Sequence, residues 1–87
     1  MENIEKKQEI LIKSRNEVIA DGVINVISFC DDELEIATTL GELFIEGENL
    51  RIMELAGDGG KILVKGRING AFYKNEREEK RHLFLKK

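Results

Sequence analysis

A cysteine nucleophile is the first chemistry this sequence could offer, since Cys30 is its single thiol and His82 its single imidazole. Such a nucleophile needs a base close by to hold it as thiolate. His82 stands far along the chain, in a charged segment, so Cys30 is expected to be a small buried or half-buried side chain at a strand end. The acidic run Asp31, Asp32 and Glu33 suggests calcium, but the D-x-D-x-D-G spacing and the distal bidentate glutamate are missing. A solvated turn accounts for it. Paired carboxylates for glycoside chemistry are available by count, yet the chain has no Trp, a single Tyr and little length from which to build a cleft.

Gly57-Asp58-Gly59-Gly60-Lys61 looks superficially like a phosphate loop. It lacks the G-x-x-x-x-G-K-[ST] spacing, and the residues after it read as a strand where a helix would be needed. A hairpin loop explains it. No catalytic, cofactor-binding or metal-ligating residue is therefore expected, and no cofactor. The C-terminal cations Lys74, Arg77, Lys80, Arg81, Lys86 and Lys87 could touch RNA or an anionic membrane. Glu76, Glu78 and Glu79 cancel half of that charge and leave about +3, weak for a polybasic anchor.

The elements that would have to position any site are short. From Glu9 to Tyr73 apolar runs alternate with polar residues and are punctuated by Gly, Asp and Asn, as in all-β domains. Strands are expected at 9–13, 17–21, 24–29, 33–39, 41–46, 49–55, 61–65 and 67–73. Leu34 and Ile36 alternate with Glu33 and Glu35, so that strand has one dry face and one wet. Leu43 and Ile45 do the same against Glu42 and Glu46, and Ile62 and Val64 against Lys61 and Lys65. Phe44 and Leu63 break the alternation, marking either a second core layer or a contact surface. Turns are expected at Asp21-Gly22, Asp31-Asp32, Gly47-Glu48-Asn49 and Gly57–Gly60. GELFIEGENLRI (41–52) and GKILVKGRINGA (60–71) form a faint repeat, two strand–Gly–strand units in succession.

The expected fold is mainly β. About eight short, mostly antiparallel strands run as a meander forming a small sandwich or partly open barrel, with a short C-terminal tail or helix. Residues 1–8 would be a flexible N-terminus, 9–73 a single β domain and 74–87 a charged tail. Leu83, Phe84 and Leu85 are the apolar residues of that tail, and with Phe44 and Leu63 they are the candidate protein contacts.

Eighty-seven residues make one domain, because chains usually divide only beyond about 150. At this size folding buries only about 60% of the unfolded chain's surface, and neither a disulfide nor a cysteine–histidine metal staple is available within one chain. Oligomerisation is the remaining common device, so a homo-oligomer is expected. A lone cysteine, the absence of a secretory signal and the absence of a long apolar run point to the cytoplasm and to no transmembrane segment. A net charge of -3 argues against duplex nucleic acid as the partner.

Read as a string, residues 10 to 73 resemble the YabP/YqfC family of sporulation proteins of endospore-forming bacteria. The resemblance is carried by Arg15, by GVINVISF (22–29), by the acidic turn Asp31-Asp32, and by ELEIATTLGELFIEGENLRIMEL (33–55) followed by GKILVKGRINGAFY (60–73). The family's pattern falls on Gly22, Val23, Val26, Ser28 and Phe29, then on Thr38 and Gly41, then on Gly47, Gly60 and Gly66. Ser14 departs from it, standing where an aspartate is expected before the arginine, and Asp21 replaces a small or hydroxylated residue. The resemblance implies a small β protein of the sporulating mother cell, in its cytoplasm or at the forespore surface. It also implies a link to spore coat assembly or to a membrane-bound sporulation partner, with no catalytic residues to carry over.

The leading expectation is a non-catalytic scaffold or adaptor, pairing with itself or with other sporulation proteins through strand edges and apolar outer positions. A chain with no proline lacks one common way of blunting sheet edges. The alternative is a small ligand- or RNA-binding β-barrel, whose stacking aromatics would come from Phe29, Phe44, Phe72, Tyr73 and Phe84.

Overall fold

The structure, a computed structural model, describes residues 8–74. Five antiparallel strands follow one another: β1 (Ile10–Lys13), β2 (Glu17–Phe29), β3 (Glu33–Thr38), β4 (Gly41–Leu55) and β5 (Gly60–Lys74). Each pairs with the next, and β2 also pairs with β5, which closes β2 to β5 into a small barrel-like ring. The meander and its antiparallel sense are as expected, but the strands number five and not eight. Three pairs of expected strands are single long strands that bend. No helix occurs among the described residues, and the expected tail or helix beyond Lys74, with Leu83, Phe84 and Leu85, lies outside them.

Glycine is what misleads about strand number, because a bulge inside a strand and a turn between strands use the same residue. Gly22 has a φ of 70°, yet it sits within β2 at a register shift against β5, between Ala20 and Val23. Asp21-Gly22 is therefore a bulge, and no hairpin forms there. Gly47-Glu48-Asn49 is likewise no turn. At this point β4 and β5 bend across each other, and Gly47 allows their backbones to touch: a Cβ on Gly47 would lie 1.9 Å from the Arg67 carbonyl oxygen. The two copies of the faint repeat are β4 and β5 themselves, and their second glycines, Gly47 and Gly66, are the bend.

Bending places each long strand in two sheets. The first contains β1, the first half of β2, the first half of β5 and the second half of β4. The second contains the second half of β2, then β3, the first half of β4 and the second half of β5. The core lies between them. Val18, Ala20, Ile62 and Val64 reach it from the first sheet, and Leu34, Ile36, Leu43 and Ile45 from the second. Val23, Leu50 and Ile68 fill in from the bends. Each fully buried Leu, Ile or Val contributes about 1.5–3 kcal/mol relative to exposure. The alternation read along 33–36, 42–46 and 61–65 is the alternation of this core.

The β1–β2 hairpin turns through Ser14 and Arg15, whose φ angles of 52° and 56° form a primed turn without the usual asparagine or glycine. Tertiary contacts hold Arg15 there. Its backbone carbonyl accepts from the Ile68 N–H at 2.7 Å, and its Nε donates to the Ile68 carbonyl at 3.1 Å. Its Nη2 also donates to Asn69 Oδ1 at 2.9 Å. Arg15 therefore pins the tip of the first hairpin to β5. The β2–β3 turn falls at Asp31-Asp32 as expected, with the Cys30 N–H donating to the Glu33 carbonyl at 2.8 Å. Cys30 itself is exposed, contrary to expectation: it lies one residue past the last paired position of β2, at the start of the turn to β3.

Candidate functional site

A ring of bent strands has open sides where the edge of one sheet meets the edge of the other without pairing. The second half of β2 pairs only with β3, and the second half of β4 only with β5. These two unpaired edges run side by side and are tied at both ends. At one end the Leu50 N–H donates to the Asp31 carbonyl at 2.8 Å. At the other the Gly59 N–H donates to the Val23 carbonyl at 2.8 Å, and Gly57 lies against the Ile24 carbonyl. Between those ties the described structure contains no strand pairing, and the result is a seam.

The side chains along the seam are apolar. Ile24, Ile27 and Phe29 on β2, with Met53 and Leu55 on β4, are each between 43% and 50% exposed. Three of the five owe their exposure to bulges. Ile24 falls between the paired residues Val23 and Asn25, and Ile27 between Val26 and Ser28. Met53 falls between Ile52 and Glu54. A bulge leaves one residue unpaired and re-aims its side chain; here it takes three aliphatic side chains out of the core. Phe29 pairs with the core residue Leu34 and Leu55 with the core residue Ile62, so these two sit at the mouth of the core.

A second seam separates β1 from the end of β5. There Arg15 and Ile68 form one tie, and the Tyr73 hydroxyl, hydrogen-bonded to Gln8 Oε1, forms the other. Leu11, Ile12, Phe72 and Tyr73 are exposed beside it.

The two contact candidates within the described residues lie apart, one on the outer face of each sheet. Leu63 pairs with Ile19 and Glu54, and Ile19 pairs with Leu11. Leu63 is thus the third member of an aliphatic row. Phe44 is half-buried and stacks on Phe72, with ring centroids 5.5 Å apart and planes 10° from parallel. Lys74 Nζ sits 5.2 Å from the Phe44 centroid. The same ammonium pairs with Glu35 at 3.8 Å and with Glu42 at 3.7 Å. Burial pushes the Glu35 carboxyl above its ordinary value, and a hydrogen bond with Glu42 adds to the rise, while Lys74 pulls it down.

The linkage has a definite sign. A raised folded-state value means that Glu35 favours the fold when protonated, and that this contribution is lost as pH rises through the folded value. Lys74→Met removes the opposing charge and is expected to destabilise by up to about 1 kcal/mol at pH 7. The difference from wild type should shrink as pH is lowered toward 4, as followed by thermal melts across that range. A pH-independent difference would show that Lys74 does not act through the Glu35 carboxylate.

Sequence reasoning missed the first seam. Its signal is an uncharged, proline-free run, Gly22–Cys30, which reads as a core strand until the bulges are seen. Among the described residues no group of three or more His, Cys, Asp or Glu could hold a metal. No described helix is long and apolar enough to cross a membrane.

The sequence profile of the YabP family matches residues 4–80. The chain belongs to the YabP family. The match reaches past both ends of the 10–73 stretch on which the resemblance was read. The chain is also 28% identical over 76 residues to the spore protein YabP of Bacillus subtilis strain 168, covering 87% of this chain and 76% of that protein.

The positions that carry the YabP likeness have structural work. Arg15 pins the first hairpin, and Gly47 and Gly66 make the bend. Thr38 is buried in the β3–β4 turn, where its Oγ1 donates to the Gly41 carbonyl at 2.6 Å and accepts from the Leu40 N–H at 3.2 Å. These residues largely build the bent ring. Among the positions of the resemblance, Phe29 has a large exposed apolar side chain on the first seam.

Proposed function

We propose that this YabP-family protein is a non-catalytic adaptor in spore formation that holds an extended segment of a partner along the open edge of β2. The observation that carries this reading is the edge itself. Residues 24–30 contain no charge and no proline, pair on one side only, and present Ile24, Ile27 and Phe29 to solvent. Natural proteins guard free strand edges with lysine, proline or a covering element, because an unguarded edge pairs with whatever strand it meets. Strand addition uses that property. Main-chain hydrogen bonds supply affinity, and alternate side chains supply specificity. Met53 and Leu55 across the seam offer a second apolar wall.

The partner is another copy of the chain, a coat component or a membrane-bound sporulation protein, met in the mother-cell cytoplasm or at the forespore surface. Nucleic acid has less support. The exposed aromatics Phe29, Phe72 and Tyr73 form no stacking row, since Phe72 and Tyr73 point to opposite faces of β5 and Phe29 lies at the other seam.

Ile27→Lys places a charge on the edge without touching the core. In the sporulating host this variant should accumulate normally and melt within a few degrees of wild type, yet lower the yield of mature spores at least tenfold. Normal sporulation with Ile27→Lys would remove the edge from consideration as the working surface.

A further inference from the structure

We infer that this chain pairs with a second copy of itself through two clefts of opposite charge that lie side by side at the β4–β5 bend. The basic cleft, of about 430 Å³, is lined by Asn16, Arg51, Lys65, Gly66 and Arg67. The acidic cleft, of about 290 Å³, is lined by Asp32, Glu33, Glu46, Gly47 and Asn69. Each is lined by a like-charge pair. Arg51 stands directly opposite Lys65 across β4 and β5, and Glu33 stands directly opposite Glu46 across β3 and β4. Like charges facing each other across strands destabilise a sheet. Glu17 faces Lys65 from β2 and Glu48 faces Arg67 across β4 and β5, which offsets the basic pair in part, but neither like-charge pair forms an ion pair within the described chain. The ion pairs there are those of Lys74 with Glu35 and Glu42.

The placement of the clefts argues for a second copy. Lys65, Arg67 and Asn69 alternate along β5 with the core residues Val64 and Ile68, so all three project from the outer face of one strand. Lys65 and Arg67 belong to the basic cleft and Asn69 to the acidic one. A surface carrying positive and negative charge next to each other is complementary to itself about a two-fold axis. The basic cleft of each copy then meets the acidic cleft of the other, and both like-charge pairs acquire counter-ions at once. An external partner would have to carry the same paired pattern in reverse; a second copy carries it by construction. The chain's net charge of -3 is small enough not to oppose the encounter.

The inference deepens the reading of this protein as one that works by protein contacts, and it uses other residues than the β2 edge. Its test is a charge exchange in the full chain. Arg51→Glu with Lys65→Glu makes both clefts acidic, and Glu33→Lys with Glu46→Lys makes both basic. All four residues are exposed, so the exchanges leave the core untouched, and circular dichroism and thermal melts should show each variant folded before its association is measured. In sedimentation equilibrium at low salt, wild type should reach twice the monomer mass and no more, and association should weaken at least tenfold between 50 and 500 mM salt.

Each charge-exchanged variant alone should stay monomeric, and an equimolar mixture of the two should recover the dimer. A mixture that stays monomeric while wild type dimerises would overturn the inference, as would single variants that dimerise normally or a wild type that remains monomeric. Growth past the dimer would overturn the two-fold arrangement. None of these outcomes depends on Ile27, so a failure here leaves the edge reading standing, and a failure of the edge leaves this one.

Discussion

Gly47→Ala should leave most of the protein unfolded at room temperature, at a cost of more than about 3 kcal/mol. The added methyl carbon would lie 1.9 Å from the Arg67 carbonyl oxygen and 3.0 Å from Leu50 Cδ2. Neither neighbour can yield cheaply. Leu50 is 2% exposed and part of the core. The Arg67 carbonyl belongs to a β5 segment fixed on both sides, where Gly47 pairs with Ile68 and Glu48 with Arg67, and where the Ile68 N–H is held by Arg15. Moving it would open the crossing at which both sheets share their strands. A domain of this size starts near the low end of the usual 5–15 kcal/mol of stability, so a loss this large removes a major fraction. Gly70→Ala is the control: it lies on the same β5, with nothing within 4 Å of its added carbon, and should shift stability by no more than about 0.5 kcal/mol. Urea unfolding of the two variants checks the pair. Equal midpoints would mean that the crossing relaxes freely and that the bend is not what glycine is there to provide.

What was legible in the sequence is what depends on period two. Leu34 and Ile36, Leu43 and Ile45, Ile62 and Val64 alternate with charged residues, and all six are core. The turns at Asp31-Asp32 and at Gly57–Gly60 declare themselves by composition and stand where composition puts them. The strand count was not legible, because Gly22, Gly47 and Gly66 interrupt alternation in the same way whether the chain reverses or only bends. The candidate edge was hidden for a related reason. Each bulge shifts the alternation by one residue, so Ile24, Ile27 and Met53 look like core positions in a string and are exposed in the fold. The charged clefts were hidden more deeply, since Arg51 meets Lys65, and Glu33 meets Glu46, only once the strand register is known. Gly47, Gly66, Thr38 and Arg15 make the ring, while the edges that the ring leaves open are written in ordinary aliphatic residues.

Two isoleucines make the strongest paired test of that division. Ile45→Ala should cost about 2–5 kcal/mol, the range for truncating a fully buried aliphatic side chain. Ile45 is 0% exposed and sits between Leu34 on β3 and Ala71 on β5, at the middle of the second sheet. The strands around it are paired on both sides, so the cavity cannot collapse and the cost falls toward the upper end. Ile27→Ala removes the same atoms from a strand residue that is 46% exposed and should cost less than about 1 kcal/mol. Chemical denaturation of the two proteins measures both, with equal slopes expected because neither change alters how much surface unfolding exposes. The contrast matters for function as much as for folding. An isoleucine on a bulged, half-exposed edge that stabilises its own subunit by less than 1 kcal/mol is not there for the core, and the surface that it forms with Ile24, Phe29, Met53 and Leu55 is free to be covered by something else. If Ile27→Ala instead costs as much as Ile45→Ala, the seam is closed in solution, β2 and β4 meet along it, and strand addition has no edge on which to act.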